Sequence, residues 1–332
     1  MVVRGRTASL LAGLVAANLL AWVWAFAAFH AFPLLLGTAL LAYGLGLRHA
    51  VDADHIAAID NVTRKLMQEG RRPAAVGLFF SLGHSTVVVA LSAALVLTTT
   101  ALQHRFGTLR EVGGLVGTAI SAAFLFAIAA FNLATLAGLW RLRRRLRRGE
   151  ALPPEAFEFA PSGGPLARMF GRLFRLIGQS WHMYPLGLLF GLGFDTATEV
   201  GLLGISAVSA SQGLPLWSIL VFPALFSAGM ALVDTADGIL MLGAYGWAFL
   251  RPERKLAYNL AITLVSVAAA AFTGAVEVLG LLSDPLGLGG GAIDWLDCNM
   301  GLLGVWIVAA CALSWLASAA LTRARRPAGQ EV

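Results

Sequence analysis

Long apolar runs recur along this 332-residue chain, and they constrain its fold more than any other feature. A helix needs roughly 20 predominantly apolar residues to cross the hydrocarbon core of a membrane. The sequence is 58% hydrophobic and only 13% charged, whereas a soluble domain is usually about 25% charged. Transmembrane β-strands would instead appear as short segments of alternating hydrophobicity. The pattern therefore predicts an all-α polytopic membrane protein.

We predict eight transmembrane helices, and their approximate bounds are 8–29, 34–58, 74–98, 112–139, 184–208, 216–243, 257–282 and 300–321. Nearly all of the 24 Lys and Arg residues lie in segments on one side of these spans. Only Arg105 and Arg110 lie on the other side, and Arg48 lies within a span. Because positively charged loops stay in the cytoplasm, both termini are predicted to be cytoplasmic. Topology also accounts for the net charge of +6 without a nucleic-acid partner.

The longest interruption between spans divides the chain into two groups of four helices. The predicted domains are 1–139, with spans one to four; 140–183, a basic cytoplasmic loop; 184–322, with spans five to eight; and 323–332, a cytoplasmic tail. The loop opens with an arginine-rich run and continues through four prolines. We expect it to be a solvated linker that fixes topology and rests on anionic lipid.

The second span carries a cluster of ionisable side chains that hydrocarbon tolerates poorly. Within one stretch lie Arg48, His49, Asp52, Asp54 and His55. Each such group costs about 2.5 kcal/mol or more at the centre of a bilayer, so the cluster indicates a function. Imidazoles and carboxylates together are the ligands of a divalent transition metal. The stretch therefore predicts a site that carries such a metal across the membrane.

Further polar residues interrupt spans three, five and six. They are His84, Asp195, Glu199, Asp234 and Asp237. At 1.5 Å per residue, His49, His84, Asp195 and Asp234 all lie roughly 13–17 Å from the cytoplasmic face of a ~30 Å core. A level shared by four helices predicts a single site near the middle of the membrane.

Helical geometry limits how the cluster in the second span can act. His49, Asp52 and His55 drift across about 120° of one helix face, while Asp54 points well away from Asp52. A regular helix cannot aim all four groups at one ion. Either Asp54 orients a histidine, or the backbone is unwound here, which Gly44 and Gly46 would permit.

The predicted site is rich in negative charge. It contains six carboxylates, and Arg48 is the only fixed cation among them. Six ionised carboxylates cannot coexist at one level in the membrane without cations. Several are therefore expected to be protonated until a metal arrives and displaces the protons, which predicts a metal affinity that depends on pH.

At these residues the chain resembles the secondary nickel/cobalt permeases, a family of eight-helix transporters. The resemblance rests on four motifs in order, which are Arg48-His-Ala-Val-Asp-Ala-Asp-His-Ile, Phe80-Ser-Leu-Gly-His-Ser-Thr-Val-Val, Leu192-Gly-Phe-Asp-Thr-Ala-Thr-Glu and Gly229-Met-Ala-Leu-Val-Asp-Thr-Ala-Asp-Gly. It implies that the metal residues are His49, Asp52, Asp54, His55 and His84. It also implies that the residues supporting binding or translocation are Arg48, Asp195, Thr196, Glu199, Asp234 and Asp237.

The resemblance implies uptake of Ni²⁺ or Co²⁺ across the cytoplasmic membrane by a multi-pass protein. The metal is then the transported substrate, no cofactor is expected, and the partners are the ion and the lipid bilayer. No ATPase subunit is expected, and the sequence holds no P-loop GxxxxGK[ST] motif. An inside-negative potential of 100 mV favours the inward passage of a divalent ion by about 4.6 kcal/mol, so uptake could proceed without a co-transported ion.

Three other functions are less consistent with the sequence than uptake. A nickel/cobalt efflux protein would typically carry a His-rich cytoplasmic loop, whereas 140–183 contains only His182. An intramembrane metalloenzyme would need a ligand set with an open position for water, and the sequence has no HExxH motif and no general base apart from the expected ligands. A membrane sensor or scaffold would carry a soluble output domain, which the predicted domains do not include. The chain is therefore not expected to be an enzyme.

Overall fold

The structure is a computed structural model that describes residues 2–97, 100–148, 150, 177–192, 197–248 and 252–283, with single positions at 295, 306 and 309. Within these ranges the regular elements are helices, and no strand occurs. The helices are α1 Val2–Phe29, α2 Pro33–His49, α3 Ala53–Gln68, α4 Val76–Leu97, α5 Thr100–Arg147, α6 Met183–Phe190, α7 Ala197–Ser211, α8 Leu216–Ile219, α9 Val221–Ala248 and α10 Pro252–Ser283. A 3₁₀ turn, Ser180–His182, leads into α6.

Several of these helices have the length and composition of membrane spans. Five are long and apolar enough to cross a bilayer, and the bent pair of α2 and α3 raises the number to six. This confirms the predicted all-helical architecture with several apolar spans. The predicted fifth span, 184–208, is divided between α6 and α7, and residues 193–196 between them lie outside the described residues. The predicted eighth span, 300–321, also lies almost entirely outside them, so the count of eight remains a prediction.

Helix α9 is central to the packing near the site, since it contacts α1, α2, α3 and α4. Two glycines let neighbouring backbones approach it closely. A Cβ atom on Gly46 of α2 would overlap the carbonyl group of Phe226, and one on Gly77 of α4 would overlap that of Asp234. Because neither glycine carries a side chain, α2 and α4 lie directly against α9 at the height of the polar residues.

Helix α3 extends beyond the predicted end of the second span. The prediction ended this span near residue 58 and placed Arg64 and Lys65 in a cytoplasmic loop, whereas α3 continues to Gln68 and buries both side chains. Neighbouring oxygens make this burial possible. Arg64 donates hydrogen bonds to Asn61 (2.9 Å), Asn132 (2.5 Å) and Thr263 (2.6 Å), and Lys65 donates to the carbonyl oxygen of Ile177 (2.6 Å).

Candidate metal site

The site begins at a break in the second predicted span. Helix α2 ends at His49, α3 begins at Ala53, and the two axes are bent by 51°. In the break the amides of Val51 and Asp52 donate to the carbonyl oxygens three residues earlier, and Asp52 then adopts an extended conformation. Of the two arrangements that helical geometry left open, the structure has the interrupted backbone.

The glycines expected to permit this distortion have a different position and role. Gly44 and Gly46 both lie within the regular part of α2, upstream of the break. Gly46 serves the close packing against Phe226, and a Cβ on Gly44 would meet no atom within 4 Å. The break itself falls at Ala50, Val51 and Asp52.

Three buried histidines meet at this break, and we call them the histidine cluster: His49, His55 and His84. Their side chains are only 1%, 0% and 2% exposed. One potential ligand atom from each ring lies within 4.8 Å of the others, and the Nε2 atoms of His49 and His84 are 3.0 Å apart. Two nitrogens bound at right angles to one ion, each at about 2.1 Å, would also lie about 3 Å apart. The cluster is therefore compact enough to hold a transition metal ion.

Two carboxylates hold the outer nitrogens of these rings. Asp52 Oδ2 lies 3.2 Å from His49 Nδ1, and the carboxylate of Asp234 lies 3.3–3.4 Å from His55 Nδ1. Metal-bound histidines commonly donate their second ring nitrogen to a carboxylate in this way, which fixes the tautomer and the orientation of the ring. Asp52 and Asp234 thus lie behind the histidines rather than between them.

Glu199, from α7, instead reaches the inner nitrogens. Its Oε1 atom lies 2.8 Å from His84 Nε2 and 4.0 Å from His49 Nε2, and the residue is only 2% exposed. An oxygen in this position can join the imidazoles as a ligand. The sequence assigned Glu199 a supporting role, and the structure places it closer to the ligand atoms than Asp52.

Two ring nitrogens of the cluster, His55 Nε2 and His84 Nδ1, are buried without a hydrogen-bonding partner among the residues that the structure describes. A buried polar atom without a partner costs about 1–3 kcal/mol. The rings of His55 and Phe80 are nearly perpendicular, with centroids 4.8 Å apart, and the centroids of His49 and Phe226 are 5.5 Å apart. A metal ion would satisfy His55 Nε2 in this otherwise apolar wall.

The remaining predicted site residues occupy different places. Asp54 is half-buried in the first turn of α3, beside His55 in the sequence. Arg48 is exposed, unlike His49 beside it. Asp195 and Thr196 lie outside the described residues. Asp237 lies one turn beyond Asp234 on α9, and within the described part of the chain both its oxygens are buried without a hydrogen-bond donor.

The sequence-based prediction did not identify a second polar group on α3, which is centred on Asp60. Asp60 accepts hydrogen bonds from the hydroxyl groups of Tyr245 (2.5 Å) and Ser266 (3.1 Å), one turn before Arg64 and its acceptors. These contacts join α3 to α5, α9 and α10. The prediction missed them because it ended the span before Asp60. The sequence did contain one indication of this group. Asp60 and Arg64 are four residues apart, so on a helix that continues from His55 they lie on the same face.

Comparisons with known proteins identify relatives of the chain over a range that includes the site residues. Residues 35–321 match the NicO family, which is described as "High-affinity nickel-transport protein". The chain is 56% identical to the high-affinity nickel transport protein of Cupriavidus necator, with 99% of this chain and 95% of that protein covered. It is 50% identical to the nickel transporter NicT of Mycobacterium tuberculosis, with 84% and 77% covered. It is 42% identical to the cobalt transport protein NhlF of Rhodococcus rhodochrous, with 85% and 81% covered.

No solved structure matches the chain. The family match extends over all four motifs from which the resemblance was inferred, and it confirms that resemblance. The chain belongs to the NicO family of high-affinity nickel-transport proteins.

Proposed function

We propose that this chain is a secondary transporter that takes up Ni²⁺, Co²⁺ or both across the cytoplasmic membrane. The observation that carries the proposal is the histidine cluster, three imidazoles buried within 4.8 Å of one another among apolar helices. Ionisable groups at membrane depth belong to transport pathways or relays by default. The printed names of the relatives, which include nickel and cobalt transport proteins, support the same function.

The proposed ligands are the three histidines and Glu199. Asp52 and Asp234 hold the Nδ1 sides of His49 and His55, so that the Nε2 atoms point toward the ion. Asp54 adds negative charge beside the cluster. Arg48, Asp195, Thr196 and Asp237 are proposed to support passage of the ion rather than to bind it in the cluster.

The donor set favours the proposed substrates. Imidazole nitrogens suit nickel and its neighbours, whereas Mg²⁺ and Ca²⁺ prefer sites made only of oxygen. Affinity for mixed nitrogen and oxygen sites rises from Co²⁺ to Ni²⁺ in the Irving–Williams order. The cluster therefore accepts both ions and is expected to bind Ni²⁺ more tightly.

The burial of the cluster bears on the mechanism. Because the three histidines are almost fully shielded from solvent, an ion can neither reach nor leave them in this arrangement. The break between α2 and α3 lies between His49 and His55, so a change of the 51° bend would move two ligands relative to each other. We propose this break as the place where the site opens within an eight-helix bundle with cytoplasmic termini.

The alternatives are less well supported. One relative, 52% identical, is named a hydrogenase nickel incorporation protein, which agrees with supply of the metal rather than its removal. Efflux is therefore not favoured. The family and the relatives are transporters, and this argues against an intramembrane enzyme.

Accumulation of radioactive nickel and cobalt in cells that express the full chain tests the proposal. The His49→Ala and Asp54→Asn variants should accumulate less metal than the unaltered chain, with the greater loss for His49→Ala. His30→Ala, at an exposed histidine outside the cluster, should leave accumulation unchanged. Undiminished accumulation in both site variants would overturn the proposed site, and metal loss on expression would overturn uptake.

A further inference from the structure

A second feature of the molecule is an open crevice whose lining does not include any residue of the histidine cluster. It has a volume of about 760 Å³ and lies between the start of α1, the end of α3, the start of α4 and the segment 178–181. We call it the α1–α4 crevice. Its lining includes the apolar residues Leu10, Leu66 and Phe79.

The position of the crevice coincides with the end of two candidate membrane spans. The apolar span in α1 begins at Thr7 and the one in α4 begins at Val76, and residues beside both positions line the crevice. Trp181, also in the lining, is 52% exposed. Tryptophan is enriched where hydrocarbon gives way to headgroups. The crevice therefore lies at the boundary between the two.

The rim of the crevice is basic. Arg71 and Arg72 line it and are exposed. Glu69 lies 3.8 Å from Arg71 and 3.4 Å from Lys65, so three cations in this region face one carboxylate. The rim keeps a net positive charge beside an apolar wall.

Three hydrogen bonds hold the segments that form the walls of the crevice. Lys65 fixes the carbonyl oxygen of Ile177 at 2.6 Å, the amide of Arg71 donates to Leu66 at 2.9 Å, and the amide of Gly178 donates to His182 at 2.9 Å. These bonds anchor the α3–α4 connection and the segment before α6 to the end of α3. A ligand would therefore find a largely formed site.

We propose that the α1–α4 crevice binds one anionic phospholipid, with the phosphate against Arg71 and Arg72 and an acyl chain along Leu10 and Phe79. Arginine forms paired hydrogen bonds with phosphate oxygens, and basic pockets between helices at the membrane boundary suit lipid headgroups. A soluble phosphate would leave the apolar wall unused. The lipid would bridge α3 and α4, which carry His55 and His84. The inference rests on the membrane placement of these helices and goes beyond the proposed transport.

The test measures lipid retained by the purified full chain. Protein is transferred from membranes of phosphatidylglycerol and phosphatidylcholine into detergent, and bound lipid is counted by native mass spectrometry. We expect one phosphatidylglycerol per chain and no comparable phosphatidylcholine. The R71Q/R72Q variant should bind phosphatidylglycerol about thirty-fold more weakly, from about 1 kcal/mol for each arginine.

Two further variants separate a built site from general basic charge. R144Q/R147Q removes the same charge from exposed positions at the end of α5 and should retain the lipid. Ala75→Phe, which narrows the crevice while keeping both arginines, should lose it. Melting temperatures confirm that each variant is folded.

Three results would overturn the inference. Equal retention of phosphatidylcholine would show that the headgroup charge is not recognised. Equal competition by soluble glycerol phosphate would show that the acyl chain plays no part. Equal loss of lipid in R71Q/R72Q and R144Q/R147Q would show that the crevice is not the site.

Discussion

His55 shows at the scale of one residue how the proposed site works. Its Nδ1 atom lies beside Asp234, and its buried Nε2 atom has no hydrogen-bonding partner in the described residues. The carboxylate fixes which side of the ring can bind a metal. The importance of His55 followed from the sequence, because it lies in a charged stretch of an apolar span. Its partnership with Asp234, 179 positions away, did not follow, because only the packing of α3 against α9 creates it.

Asp234→Asn tests this partnership. The substitution keeps the volume of the side chain and removes the charge that orients and polarises His55. Loss of such a partner typically weakens metal binding by about 10–100-fold, and we expect a loss of that size for Ni²⁺. Isothermal titration calorimetry of the purified chain measures it.

The control for Asp234→Asn is Glu150→Gln, which removes a carboxylate charge from an exposed residue paired with Arg145. Its nickel affinity should equal that of the unaltered chain. If Asp234→Asn is folded and binds Ni²⁺ with undiminished affinity, Asp234 does not position His55.

At the scale of helices, close backbone packing sets the spacing of the site. Gly46 is the clearest case, since a Cβ atom there would overlap the carbonyl group of Phe226 on α9. The sequence predicted the helices of this region and left an unwound backbone as one of two possibilities. It did not predict that Gly46 serves packing or that the break falls at Ala50–Asp52, because both depend on the position of α9.

Gly46→Ala should therefore destabilise the protein, because α2 must move away from α9 to accommodate the methyl group. Overpacking of this kind costs about 1–3 kcal/mol. Gly44→Ala is the matched control, since its Cβ would meet no atom within 4 Å and it brings the same gain in helix propensity. Thermal unfolding should show a lower midpoint for Gly46→Ala alone, and equal midpoints would contradict the packing described here.

The burial of Asp60 and Arg64 could not be predicted from the sequence. A helix carrying charged residues normally indicates a segment outside the hydrocarbon, and the predicted span ended accordingly. The structure buries these residues because Asn132, Tyr245, Thr263 and Ser266 supply their hydrogen bonds from three other helices. None of these residues is adjacent in sequence, so their meeting could not be predicted from local patterns.

At the scale of the whole molecule, apolar helices enclose a concentrated set of ionisable groups. Apolar composition and the common depth of His49, His84, Asp195 and Asp234 predicted a single site. Asp195 lies outside the described residues, and His49, His84 and Asp234 lie in one group with His55 and Glu199. The carboxylates require cations or protons at such depth. We therefore predict that metal binding is coupled to proton release.

This coupling predicts that nickel affinity falls as the pH is lowered. Protons compete for the imidazole nitrogens and carboxylate oxygens that must be deprotonated to bind metal, so affinity should decrease steadily from about pH 8 to about pH 5.5. Calorimetry in buffers of different ionisation enthalpy gives both the affinity and the protons released. An affinity that stays constant over this range, with no proton release, would contradict the coupling.

X-ray absorption spectroscopy of the nickel-loaded, purified full chain tests the central claim most directly, because imidazole rings give a distinctive multiple-scattering signal. The histidine cluster predicts three imidazole ligands with additional oxygen, and two imidazoles in His55→Ala. A nickel environment of oxygen alone, or an imidazole signal that does not change in His55→Ala, would contradict the proposal that the ion binds among His49, His55 and His84.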